Sequence, residues 1–169
     1  LGSDVCSSDL QSSSEIESWY KDSIFDEDTD YILQSSRFKI LSLKNIKNPS
    51  VQREDLLTLD IFNDSQIRTI VYIQFYPHSE VGVHNHKNNS HFTYENGIYR
   101  DHRPNGIEEY KTTHFTFETN PYAHMTYQGE KILWEKNLFN VYDVINNDHG
   151  AINNGDTSIK FLYIRSEEH

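Results

Sequence analysis

The chain has 169 residues, enough for one domain with a buried core, and a formal charge of −11. So acidic a surface repels phosphate backbones and argues against nucleic acid as a partner. No stretch approaches the roughly 20 apolar residues of a membrane helix, so a soluble, cytoplasmic domain is expected.

Two end segments, Asp4-Val5-Cys6-Ser7-Ser8-Asp9-Leu10 and Arg165-Ser166-Glu167-Glu168-His169, resemble translations of a sequencing adapter read in opposite senses. Residues 1–10 and 165–169 are accordingly set aside as foreign to the fold. Cys6, the only cysteine, lies in the first, so no disulfide or thiolate argument applies. Residues 11–36 read as a leader with a short helix over 14–23, capped by Ser14 with Glu15 and Glu17 in its first turn.

From residue 37 to 164 the chain reads as β structure. Eleven Tyr and nine Phe against one Met favour strands over helices. Strands are expected over 37–43, 56–62, 67–76, 107–117, 123–127, 131–134, 138–145 and 158–164, separated by turns such as Asn105-Gly106, Gln128-Gly129 and Asn154-Gly155. In the most regular of these, Ile67, Val71, Ile73 and Phe75 face one way and Arg68, Tyr72 and Gln74 the other. Many short strands without a long helix imply a closed or stacked all-β fold of the jelly-roll type.

Nine histidines are present, five of them between His78 and His102. In extended chain, residues two apart share a face, so His84 and His86 can converge on one ion. His149, just before the turn that leads into the last strand, is the candidate third ligand. Such an imidazole-rich set suits Fe(II), with Zn, Mn, Ni or Cu as further possibilities. Taken singly, a His-x-His pair or a histidine before an Asn-Gly turn is an ordinary surface feature; their joint position at strand ends makes them a site. His78, His91 and His102 read as solvated.

The passages His114-Phe115-Thr116-Phe117-Glu118-Thr119-Asn120-Pro121 and Asn147-Asp148-His149-Gly150-Ala151-Ile152-Asn153-Asn154-Gly155-Asp156 resemble the aspartyl/asparaginyl β-hydroxylase family. His149 to Asn153 also resembles the second motif of cupins in general. The resemblance covers about half the chain and implies a cupin-like double-stranded β-helix using Fe(II) and 2-oxoglutarate. It implies His84 and His149 as metal ligands, His86 in place of the family carboxylate, and His114 and Lys160 as contacts to the co-substrate carboxylate. Tyr72 and Gln74 are expected to line the substrate pocket from the neighbouring strand. Thr112 and Ile159 stand where that family carries arginines, and lysine does not reproduce the bidentate fork of arginine on a carboxylate.

Three functions follow. The first is a 2-oxoglutarate-dependent hydroxylase of an amino acid, a peptide side chain or a small metabolite. The second is a three-histidine cupin acting without 2-oxoglutarate, as a thiol dioxygenase, lyase or isomerase. The third is a non-catalytic jelly roll binding carbohydrate or a partner through exposed Tyr and Trp134.

Overall fold

The computed structural model describes residues 12–23, 25, 33–46, 48–85, 92–95, 98–101, 109–143 and 147–168. In chain order these form helix α1 (Ser13–Lys21) and strands β1 (Leu33–Gln34), β2 (Phe38–Asn45), β3 (Ile67–Phe75), β4 (Ser79–His84), β5 (Phe92–Glu95) and β6 (Ile98–Asp101). They continue with β7 (Glu109–Glu118), β8 (Ala123–Tyr127), β9 (Glu130–Ile132), β10 (Phe139–Tyr142), β11 (His149–Asn153) and β12 (Ile159–Glu168). Among the described residues no helix is long and apolar enough to cross a membrane.

One sheet has the order β1-β2-β3-β12-β7-β10, a second β4-β11-β8-β9, and β5 and β6 pair as a hairpin. Ladder pairing is antiparallel in both large sheets. Between the sheets lies a core built on Phe75, Met125, Trp134, Ile159 and Phe161. This is the jelly-roll architecture that the strand count implied.

The larger sheet is buried on its other face as well. There Leu41, Ile70, Tyr72, Phe117 and Leu162 pack under Ile16 and Trp19 of α1 and under Ile61 and Phe62. The helix starts at Ser13, one residue before its expected position, because Ser12 rather than Ser14 caps it: Ser12 Oγ accepts from the Glu15 N–H at 3.2 Å. Trp19 donates its indole N–H to the Leu56 carbonyl at 3.0 Å and meets Phe62 edge-on at 5.0 Å. The apolar run at 56–62 is therefore not a strand but 3-10 turns, Glu54–Leu56 and Asp60–Asn63, that seat leucines and Phe62 on the sheet.

Both boundaries drawn at 37 and 164 need correction. Ile16, Trp19 and Phe25 belong to the core, so the leader is part of the domain. At the other end β12 continues through Glu168, with Arg165 opposite Thr69 on one side and Thr112 on the other.

The residues of the Thr-Asn-Pro and Asn-Asn-Gly passages also have structural work. Asn153, fully buried, donates to the carbonyls of Phe75, Tyr76 and Thr157 and accepts from Asn120 Nδ2 and the Gly155 N–H. It thereby ties the β11–β12 turn to the ends of β3 and β7. Removing the Trp19 side chain with Trp19→Ala is expected to cost about 3–5 kcal/mol in urea unfolding while leaving metal uptake by the folded protein unchanged, since α1 lies on the sheet face away from the histidines.

Candidate metal centre and cavity

β11 lies between β4 and β8, and the register puts His149 directly opposite His84. Their ring centroids are 4.4 Å apart with planes tilted by 50°. The approach is made possible by Gly150, where the β11–β4 register shifts. A Cβ there would meet the Val81 carbonyl oxygen at 2.8 Å and the Val83 nitrogen at 3.2 Å.

Each imidazole is held by a backbone carbonyl at Nδ1. His84 Nδ1 lies 2.7 Å from the Gly82 oxygen, and His149 Nδ1 lies 3.0 Å from the Asn147 oxygen. A carbonyl only accepts, so both rings carry their proton on Nδ1 and their lone pair on Nε2, the tautomer in which neutral histidine binds a metal. Burial holds the His149 imidazole below its ordinary pKa, against the opposing effect of the Asn147 carbonyl. That carbonyl is itself fixed. Asn147 Nδ2 donates to the Tyr127 hydroxyl at 3.1 Å and to the Asp143 oxygen at 3.0 Å, while Gln128 Nε2 donates to Asn147 Oδ1 at 2.7 Å. Asn85 Nδ2 donates to Asp148 Oδ1 at 3.0 Å, linking the end of β4 to the same loop.

These donors fit a divalent ion as a two-histidine half-site. Among the described residues no group of three His, Cys, Asp or Glu side chains converges for a metal. His86, the remaining expected ligand, lies outside the described residues.

His84 and His149 stand at one side of a cavity of about 170 Å³ that His114 also lines. His114 is buried on β7, and the Trp134 indole N–H points to its Nδ1 at 3.4 Å, which assigns the ring proton to Nε2. Burial drives this imidazole down to about 3, with His149 adding to the shift. The cavity walls are Phe38, Ile73, Phe75, Met125, Phe161 and Tyr163. The Tyr163 hydroxyl, pushed up to about 12 by burial, accepts from Thr112 Oγ1 and Arg165 Nη2.

Three expected site residues are not part of this cavity. Tyr72 is fully buried in the outer core, stacked on Phe25 at 4.3 Å. Gln74 donates to Ser158 at 3.4 Å, and Lys160 lies 3.6 Å from Glu118. Alternation is the reason: Ile73 and Phe75 on β3, and Ile159, Phe161 and Tyr163 on β12, occupy the inner face. Trp134, expected as an exposed binding platform, is a buried wall of the cavity and the hydrogen-bond donor to His114. Its role left no local signal, because the indole meets His114 only once the sheets are stacked.

No protein-family model matches the sequence, and no curated protein matches it. Solved structures do. They include the plu4264 protein from Photorhabdus luminescens, with TM-score 0.50, 12% identity, and coverage of 83% of this chain and 84% of that one. KdgF from Halomonas sp. gives 0.49, 9%, 86% and 90%, and the cupin domain of Schizosaccharomyces pombe Cnp3 gives 0.49, 10%, 80% and 68%. The fold is a jelly roll. At these identities the likeness concerns the fold alone, and no family-model or sequence match supports the narrower β-hydroxylase resemblance.

Two measurements follow. Gly150→Ala is expected to push β4 away from β11, costing about 1–3 kcal/mol and weakening metal binding at least tenfold in a calorimetric titration. His114, with a folded pKa far below its unfolded value, takes up its proton in the unfolded state first; its stabilising effect is present above about pH 6.5 and lost as pH falls toward 3. Between pH 7 and 4 this group is expected to remove roughly 3 kcal/mol from the unfolding free energy, and His114→Leu to flatten that slope in urea titrations.

Proposed function

We propose that the protein is a metal-dependent cupin enzyme whose imidazole-held divalent ion acts without 2-oxoglutarate. The observation that carries this reading is the opposed pair His84 and His149, both in the Nδ1–H tautomer and both anchored by backbone carbonyls at the edge of an apolar cavity. His86 is the proposed third ligand, two residues along an extended chain from His84. Fe(II) heads the candidate ions, and the same donor set accepts Zn, Mn, Ni or Cu. Bound there, such an ion supplies Lewis acidity and, as iron, one-electron chemistry.

The chain's own contribution is orientation and exclusion. The Gly82 and Asn147 carbonyls fix the two rings, Trp134 fixes His114 with its N–H on Nε2, and the aromatic walls keep competing water away from the reacting groups.

The 2-oxoglutarate-dependent hydroxylase is the less favoured reading. A dicarboxylate needs a cation for its distal end. Lys160 is on the outer face beside Glu118, Ile159 is core, and His114 is held neutral by burial. The described cavity lining contains no Lys or Arg.

Purified protein reconstituted anaerobically with Fe(II) is expected to take up about one equivalent, and His149→Ala at least tenfold less at the same free iron. It is expected neither to bind nor to consume 2-oxoglutarate. Uptake below about a tenth of an equivalent for Fe, Zn, Mn and Ni alike contradicts the metal centre, and stoichiometric turnover of 2-oxoglutarate contradicts the choice between the two enzyme readings.

A further inference from the structure

The cavity beside the histidine pair is chemically one-sided. Its volume is about 170 Å³, and its walls are apolar side chains such as Phe38, Ile73, Phe75, Met125 and Phe161. Among the described lining residues the polar side chains are Tyr163, whose hydroxyl accepts from Thr112 and Arg165, and three histidines: His84 and His149, with their lone pairs on Nε2, and His114, whose Nδ1 faces the Trp134 indole so that its proton is on Nε2. A cavity of about 150 Å³ lined by aliphatic and aromatic residues stays dry and takes up benzene, so this one matches a single ring in size and in surface. An ionised carboxylate placed among such walls, with no Lys or Arg among the described lining residues to pair it, loses more hydration than the contacts return.

We propose that the cavity binds an uncharged, single-ring molecule bearing one oxygen head group, of the size and polarity of a phenol. The ring packs against Phe75, Trp134 and Phe161, and the oxygen accepts a hydrogen bond from His114 Nε2. This names the substrate class of the site described above and rests on that reading for the reaction only, since ring binding needs no metal.

The test is a titration of metal-free, 15N-labelled protein with phenol, toluene, benzoate and 2-oxoglutarate, following the indole N–H signals of its two tryptophans. Phenol is expected to shift the Trp134 signal saturably, to leave Trp19 in the outer core unmoved, and to bind at least tenfold more tightly than benzoate or 2-oxoglutarate. No Trp134 shift with phenol, or benzoate or 2-oxoglutarate binding as tightly as phenol, overturns the proposal. In His114→Leu, phenol is expected to weaken about fivefold or more while toluene keeps its affinity; equal weakening of both removes the head-group assignment. Metal uptake measured on the same preparation separates the two readings. Uptake without phenol binding refutes this inference alone, whereas phenol binding without uptake refutes the metal centre and leaves the cavity assignment standing.

Discussion

Antiparallel pairing of β11 with β4 places His149 against His84, and the proposed metal centre depends on that contact. The pairing is close because Gly150 lets the Val81 carbonyl approach where a side chain would meet it at 2.8 Å. Two imidazoles at 4.4 Å would repel if both were charged. Burial holds the His149 imidazole below its ordinary pKa against the pull of the Asn147 carbonyl, and the two carbonyl acceptors fix which nitrogen each ring offers. The site is thus preorganised by backbone groups, and Asn147, which supplies one of them, is held in turn by Tyr127 and Gln128.

The larger sheet explains how a small domain can maintain an apolar cavity beside polar ligands. With α1 and the 3-10 turns covering its outer face, the sheet is held from both sides. The inner face then carries Phe75 and Phe161, and Trp134, just beyond β9, packs against both. Beside them lies the cavity, and His114 enters it as a neutral donor rather than as a cation.

Much of this was legible in the sequence. Period-two patterning and Gly-containing turns gave the all-β class, and the spacing of His84, His86 and His149 singled out residues of which the fold brings two together. The failures share a cause. Tyr72 and Gln74 read as pocket-lining residues because alternation says which residues share a face and not what covers it. Here a helix covers it, and an aromatic tyrosine body serves as core. Lys160, alternating with Ile159 and Phe161, follows the same rule onto the outer face. The run at 56–62 has strand-like composition, yet it folds into 3-10 turns over Trp19. Asn120 and Asn153, which carried the family resemblance, act as ties between turns, so a motif match there reports on turn geometry rather than on catalysis.

The central claim is that His84 and His149 bind one ion through Nε2. A crystal structure of protein soaked with Fe(II) or Zn(II), with anomalous data collected at the metal edge, tests it most directly. The account predicts one strong peak within about 2.0–2.3 Å of both Nε2 atoms. A peak bound through Nδ1, or metal found only away from this pair, would contradict it.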